Sequence, residues 1–170
     1  MKYGIVIFPT KPLQDFVNSY RKRYDPHYTH IPPHITLKSG FDAENHQIND
    51  IVQKLHEVAQ KTEPFDITIT KFSSFKPVNN VIYLKIDPKD NLEYLHNEID
   101  TKIPDHVSEY VYVPHITVGQ QLTNDEHSDV FGSLQMLKVN MQDKVDRFHL
   151  LYQLENGSWT VYETFRLGKE

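Results

Sequence analysis

The chain has 170 residues, of which 38% are hydrophobic and 24% are charged, a composition typical of a folded soluble domain. It contains no cysteine, which excludes disulfides, a thiolate zinc site, an iron–sulfur cluster and a cysteine nucleophile. The formal net charge of −5 argues against a protein that binds long nucleic acid by neutralising its phosphates. The apolar run at residues 5–8 is too short for a membrane span or a signal sequence, so we expect a cytoplasmic protein with no membrane partner.

The first half of the chain predicts a strand, a helix, a strand, a helix and a strand. Short β-rich or alternating apolar runs mark the strands, and apolar residues three or four apart mark the helices. Thr10 is the predicted N-cap of the first helix, and Pro12 lies in its first turn. The five predicted elements cover residues 3–8, 13–24, 34–38, 48–58 and 65–70.

The second half begins the same order again and adds one strand at its end. Thr123 and Glu126 form a predicted capping box before the second helix of this half. A turn at residues 155–158 is expected to join the last two strands as a hairpin. The six predicted elements cover residues 81–86, 92–99, 111–118, 130–137, 145–153 and 159–165.

This repetition predicts an α+β fold in a single bilobal domain over residues 1–170. We place the first lobe at about residues 1–76 and the second at about residues 81–170. Each lobe is expected to contain a mostly antiparallel sheet with helices on its outer side, and a cleft is expected between the two sheets. The strand order stays open, and a terminal strand could cross into the sheet of the other lobe.

The tetrapeptide Pro-His-Ile-Thr occurs twice, at residues 33–36 and 114–117, and both copies fall at the same place in the repeated pattern. Alternate residues of a strand share a face. His34 and Thr36 therefore lie on one face of their strand, and His115 and Thr117 lie on one face of theirs. If a pseudo-twofold axis relates the lobes, the two imidazoles and two hydroxyls converge on the cleft.

These four side chains suit the cleavage of a phosphodiester without a metal. Two histidines with ordinary pKa values of about 6.5 can divide the roles of general acid and general base at neutral pH. Threonine hydroxyls can donate hydrogen bonds to the non-bridging phosphoryl oxygens, where negative charge develops. From the residues alone, either histidine can be the acid.

The two motifs, His34-Ile35-Thr36-Leu37 and His115-Ile116-Thr117-Val118, resemble those of the 2H phosphoesterase superfamily. Its members include RNA 2′,3′-cyclic phosphodiesterases, 2′-5′ RNA ligases and a subgroup of small bacterial phosphoesterases. The resemblance implies that His34 is the proton donor and His115 the proton acceptor, with Thr36 and Thr117 on the phosphate. It also implies hydrolysis or formation of a 2′,3′-cyclic or 2′-5′ phosphodiester on RNA ends or small nucleotides, with no cofactor.

Three further residues are candidates for substrate binding. Lys38 follows the first motif on the His34 face and could contact the phosphate. Arg21 and Tyr24, at the end of the first predicted helix, could hold a phosphate or stack on a base. A basic run at a helix C-terminus is more often simply solvated, because it interacts favourably with the helix dipole.

Two alternatives stay open. His27, His30 and His34 are spaced by three and four residues, but the prolines between and beside them argue against the helix that would make a metal site, and we assign no metal. The second alternative is a non-catalytic module that binds a nucleotide or an RNA end in the same cleft. Because a bilobal cleft needs no second subunit, we expect a monomer that binds a small cyclic nucleotide or an RNA end.

Overall fold

The computed structural model describes residues 1–103 and 111–168. Over these residues the chain forms helices and strands in an α+β arrangement, which confirms the predicted fold class. The helices are α1 (Lys11–Tyr24), α2 (Asn45–Gln60), α3 (Asp90–Lys102) and α4 (Asn124–Leu134). The strands are β1 (Lys2–Ile7), β2 (Ile35–Asp42), β3 (Phe65–Ser74), β4 (Ile82–Asp87), β5 (His115–Gly119), β6 (Met141–Val145), β7 (Arg147–Gln153) and β8 (Trp159–Arg166). Across the described residues, none of the helices has both the length and the apolar character needed to cross a membrane.

Side-chain hydrogen bonds hold the starts of α1 and α4, although the Thr10 side chain makes no cap bond to its own helix. Thr10 is extended at the N-cap of α1, and its amide and hydroxyl both donate to the carboxylate of Asp143 on β6. The predicted capping box begins α4: Thr123 Oγ1 accepts from the Glu126 amide, and the Glu126 carboxylate accepts from the Thr123 amide. The bond from the Glu126 amide satisfies one of the amide groups that the first turn of a helix leaves without partners.

The strands form one curled antiparallel sheet in the order β6-β3-β4-β5-β2-β1-β7-β8. The prediction of two separate sheets is wrong in this respect. The two strands that carry the motifs, β2 and β5, are neighbours at the centre and join the two halves into one sheet. The pairing of β2 with β5 is a single antiparallel bridge between Ile35 and Ile116. The predicted cleft between two separate sheets is therefore a junction within one continuous sheet.

The halves of the sequence do not coincide with the halves of the sheet. Strand β3, from the first half of the sequence, pairs with β4 and β6 from the second half. Strand β7, from the second half, pairs with β1 from the first. Residues 76–81 therefore separate the two copies of the sequence repeat. They do not separate two structural halves, because strands from both copies are intermixed in the order of the sheet.

Strands β2 and β3 each end four residues beyond their predicted bounds, and two other predicted strands differ in where they begin or divide. The strand predicted over residues 145–153 is divided at Asp146, because β6 pairs with β3 in one half of the sheet and β7 pairs with β1 in the other. The strand predicted to begin at residue 111 begins at His115, directly after Pro114, which has no amide hydrogen to donate to a neighbouring strand.

Candidate active site

The bridge between β2 and β5 brings the two motifs together. The side chains of Ile35 and Ile116 are fully buried in the core, so the flanking residues face the opposite side of the sheet. The antiparallel register that joins Ile35 to Ile116 places His34 across from Thr117 and Thr36 across from His115. Both histidine–threonine pairs therefore lie on one face, related by a local pseudo-twofold axis.

The two imidazoles are oriented by the same local hydrogen bond. Nδ1 of His34 lies 2.8 Å from the carbonyl oxygen of Pro32, and Nδ1 of His115 lies 2.7 Å from that of Val113. A carbonyl can only accept, so Nδ1 carries the hydrogen in both rings. In each neutral imidazole Nε2 is therefore the basic nitrogen, and in each imidazolium Nε2–H is the acid left for a ligand.

Both histidines bind protons less readily than histidine in water. Burial is the largest cause that lowers the pKa of His34 to about 4, and the positive charge of Arg21 acts in the same direction. The carbonyl of Pro32 opposes this shift because it accepts a hydrogen bond from the ring. Burial also lowers the pKa of His115. Both shifts favour the neutral form of the ring in the free protein, and a bound anion would favour the protonated form.

A cavity of about 270 Å³ opens on the His34 side of the junction. It extends from β2 across β1 and β7 to β8, and the loop after α1 forms one of its walls. Its lining includes both first-motif residues and several residues that the sequence did not indicate. These lining residues are Gly4, Val6, His27, His30, Ile31, His34, Thr36, Lys38, Ser39, Gly40, Gln120, Leu151, Gln153, Gly157 and Trp159.

Aromatic rings surround His115. The ring of Phe75 meets the imidazole edge-on at a centroid distance of 5.0 Å, and the ring of Tyr83 lies 5.4 Å away. Phe75 and Tyr83 stack on each other at 4.2 Å. The two histidines of the pair therefore have different surroundings, because His34 lines an open cavity while His115 packs against two rings.

The structure places Lys38 in the cavity lining with its ammonium group paired. Lys38 is buried, and its Nζ lies 2.7 Å from Oδ1 of Asp100 on α3. Asp100 also approaches Nε2 of His96, at 3.3 Å. The charge of Lys38 is therefore held by a carboxylate of the helical layer, which the pattern of the strand alone does not reveal.

The structure places neither Arg21 nor Tyr24 in the lining of this cavity. Arg21 is 1% exposed, and its guanidinium donates to the side chains of Asn18 and Asp25 and to the carbonyl of Ile31. It is thus neither solvated nor directed at the cavity. Tyr24 is half-buried beneath the guanidinium of Arg23, whose Cζ lies 5.1 Å from the ring centroid.

Several lining residues were missed, because nothing in the sequence pattern indicates that the loop after α1 and the last strand lie beside β2. His27 and His30 lie on the proline-rich loop after α1, and their spacing in the sequence suggested only a metal site. Trp159 comes from the last strand. The one signal that could have been noticed is Gly4 inside a buried strand, since a glycine there often marks a close approach. Within residues 1–103 and 111–168, no group of three or more histidine, aspartate or glutamate side chains is placed to hold a metal ion.

A curled antiparallel sheet with a histidine and a threonine on each of two central strands defines the class of the two-histidine phosphoesterases. The sequence profile of the 2′-5′ RNA ligase superfamily matches residues 9–157. The chain therefore belongs to this superfamily, which confirms the resemblance to the 2H phosphoesterases.

Relatives from two bacteria match nearly the whole chain. A protein of Geobacillus sp. strain WCH70, named "putative phosphoesterase", is 57% identical over 168 residues, covering 99% of this chain and 97% of its own length. A protein of the same description from Bacillus licheniformis is 55% identical over 168 residues, covering 99% of both chains. These names and the fold support a phosphoesterase.

Solved structures share the fold at low sequence identity. The protein TT0787 of Thermus thermophilus superposes with a TM-score of 0.75 at 16% identity and covers all of both chains. Escherichia coli LigT, crystallised with 3′-AMP, superposes with a TM-score of 0.75 at 15% identity and covers 99% of this chain and 98% of LigT. At such identity the likeness concerns the fold alone.

Proposed function

We propose that the protein hydrolyses a 2′,3′-cyclic phosphodiester on an RNA end or a small nucleotide, without a metal. The observation that carries this proposal is the register of β2 and β5, which supports two histidine–threonine pairs on one face. The matching Nδ1 bonds of His34 and His115 add support, because they leave both Nε2 atoms for the substrate.

In the proposed reaction His115 is the base and His34 is the acid. Nε2 of His115 removes a proton from water, and the water oxygen forms a bond to phosphorus as the bond to one ribose oxygen breaks. Nε2–H of His34 gives its proton to that leaving oxygen, so the product is a phosphomonoester. If the 5′-hydroxyl of a second RNA replaces the water, the same steps form a phosphodiester. Thr36 and Thr117 donate to the non-bridging oxygens in either direction.

The position of the cavity supports the role of His34 as the acid. The leaving oxygen belongs to the ribose, so the histidine that protonates it must lie on the side where the nucleoside has room. The cavity lies on the His34 side. The anionic substrate supplies the charge that raises the low pKa of His34, so that the acid is protonated only when substrate is bound.

The first test is hydrolysis of 2′,3′-cyclic nucleotides and of short RNAs that end in a cyclic phosphate, with excess chelator. We expect turnover that survives the chelator and falls by about 10²–10⁴-fold in His34→Ala and in His115→Ala, because each variant loses one proton-transfer group. His46→Ala, which alters an exposed histidine of α2, is the matched control and should retain activity.

Two results would contradict this reaction. One is turnover that requires a metal or persists in both histidine variants. The other is the absence of turnover together with nucleotide binding that strengthens as pH falls, which would indicate the non-catalytic binding module.

A further inference from the structure

The cavity beside His34 has an aromatic surface at a distance suited to a nucleotide. Trp159 begins β8, but its indole reaches back across β7 to β1, where a methyl group at Gly4 would lie 3.5 Å from Cζ3 of the indole. Strand β1 is the direct neighbour of β2, which carries Thr36. Val6, two residues along β1 from Gly4, pairs with Thr36. With about 3.4 Å per residue along a strand and about 4.8 Å between strands, the backbone at Gly4 lies roughly 8 Å from that at Thr36. One ribose spans a gap of that order.

Glycine leaves this part of the cavity open. Gly4 and Val6 are alternate residues of β1, so they share the face that lines the cavity. A methyl group at Gly4 would meet only ordinary contacts, all at 3.5 Å or more. The absence of a side chain at Gly4 is therefore not required by packing, and it extends the open space between the indole and β2.

The wall that carries the indole is held by backbone contacts. The amide of Trp159 donates to the carbonyl of His30 at 2.9 Å, which joins the β7–β8 hairpin to the loop after α1. Gly157, at φ +89°, lies beneath the imidazole of His30, whose atoms would be 3.7–3.8 Å from a methyl group there. Because the indole and the imidazole are attached to segments already fixed in the free protein, little ordering is needed when a ligand binds.

The size and chemistry of the cavity indicate one heterocyclic base. The volume of about 270 Å³ lies just below the range of about 300–1,000 Å³ for sites that hold whole small molecules, which suits a site for a single ring system. Gln153, which donates to the carbonyl of Gly157 at 3.1 Å, lines the same space and keeps an amide oxygen for the edge of a base. An indole beside an amide suits stacking combined with hydrogen bonding.

We propose that this cavity is the subsite for the nucleobase of the substrate, with the indole of Trp159 as its stacking surface. The inference rests on the proposed function, because it places the phosphate at the two motifs and the base one ribose away, on the His34 side. It makes Trp159 a specificity-determining residue and predicts that a ribose phosphate without a base is a poor ligand.

Trp159 is the single tryptophan of the chain, so its fluorescence reports on this cavity directly. We would titrate the free protein with adenosine 3′-monophosphate, ribose 5-phosphate and inorganic phosphate. We expect saturable quenching by the nucleotide, and binding of ribose 5-phosphate that is weaker by about 5- to 150-fold, the usual contribution of one stacked base. Nucleotide binding without any change in the fluorescence, or no nucleotide binding at all, would overturn the subsite.

Calorimetry on variants then separates stacking from folding. Trp159→Leu should lose the same 5- to 150-fold in nucleotide affinity and bind inorganic phosphate as before, while Trp159→Phe should recover part of the loss. Gly4→Ala should weaken the nucleotide alone, because its methyl group enters the cavity. Tyr162→Leu is the matched control: Tyr162 lies on the same strand but packs against Tyr3, at 5.7 Å. Equal losses for the nucleotide and for phosphate in Trp159→Leu would contradict the proposal.

These experiments distinguish the subsite from the reaction. If the nucleotide binds through Trp159 but no cyclic phosphate is hydrolysed, the proposed reaction is wrong and the subsite stands. If cyclic nucleotides and ribose cyclic phosphate are hydrolysed with equal kcat/KM, the reaction stands and the subsite is wrong.

Discussion

Arg21 acts on the candidate active site from behind it. Its guanidinium donates to the carbonyl of Ile31 at 2.7 Å, and the next carbonyl along the chain, that of Pro32, orients His34. Its positive charge also lowers the pKa of His34. The same guanidinium pairs with the buried carboxylate of Asp25, at 3.2 Å. One residue that was predicted to meet the substrate thus affects both the geometry and the charge of the proposed acid.

Replacing Arg21 should make His34 easier to protonate. Arg21→Met removes a positive charge that lowers the pKa of His34, while the negative charge of Asp25, which raises it, stays in place, so the pKa should move upward. Titration of the His34 imidazole by NMR, assigned with His34→Ala, measures the shift. Arg23→Met, which alters an exposed arginine of the same helix, should leave the titration unchanged. A titration of His34 that is unmoved or moves to lower pH would show that Arg21 does not act on this ring.

Helix α3 is attached to the motif strand β2 by polar contacts behind the site. Lys38 pairs with Asp100, and Nδ1 of His96 lies 2.7 Å from the carbonyl of Leu37. The hydroxyl of Tyr112, whose ring stacks on that of His96 at 4.1 Å, donates to the carbonyl of Thr36. These contacts fix successive backbone groups of the strand, so the helix contributes to where Thr36 is held.

Breaking the ion pair between Lys38 and Asp100 should therefore destabilise the fold. Asp100→Ala leaves a buried ammonium group without this carboxylate, which typically costs about 3–5 kcal/mol in free energy of unfolding. Urea denaturation followed by circular dichroism gives the value. Asp15→Ala breaks the exposed pair with Lys11, at 83% and 64% exposure of the two side chains, and should have little effect because water screens that pair. Similar losses in both variants would mean that the Lys38 pair is no more important than a surface contact.

The sequence predicted the elements whose signal is local and missed what depends on distant segments. The alternation of polar and apolar residues in the motif strands correctly predicted that Ile35 and Ile116 point into the core, because successive side chains of a regular strand point to opposite faces. The division at Asp146 could not be seen, since nothing within residues 145–153 shows that the chain changes its pairing partner there. Likewise, the partners of Lys38 and Arg21 lie on elements whose positions only the folded chain defines.

At the scale of the whole molecule, the duplication produces a symmetric pair of motifs in asymmetric surroundings. His34 and His115 share the same bond from Nδ1 to a carbonyl two residues earlier. Yet one lines the cavity that ends at Trp159, and the other packs against Phe75 and Tyr83. In the proposed reaction the symmetry provides two equivalent imidazoles, one on each side of the phosphate, and their different neighbours fix the orientation of the substrate. A substrate with one large end can therefore bind in a single orientation.

Burial of these histidines also sets how the whole molecule responds to acid. A histidine whose pKa is lower in the folded chain than in the unfolded chain binds its proton more weakly when folded, so acid favours unfolding. The pKa is lowered, chiefly by burial, at His34, His115, His127 and His149. Their contribution to stability is fully present above the unfolded value of about 6.5 and is lost as pH falls through that value.

For His34, with a pKa of about 4 in the folded chain, that loss continues down to about pH 4. We therefore expect His34→Gln to lose about 1–2 kcal/mol less stability than the wild type between pH 7.5 and pH 4.5, after allowing for screening by water in the cavity. Urea denaturation at a series of pH values measures the difference, with His46→Gln on the exposed face of α2 as the control. If His34→Gln follows the wild-type curve, burial does not hold the ring neutral, and the proposed acid would already be charged before substrate binds. If His34→Gln is more stable in acid than the wild type, then burial of the neutral His34 ring at the junction reduces the stability of the wild-type protein in acid.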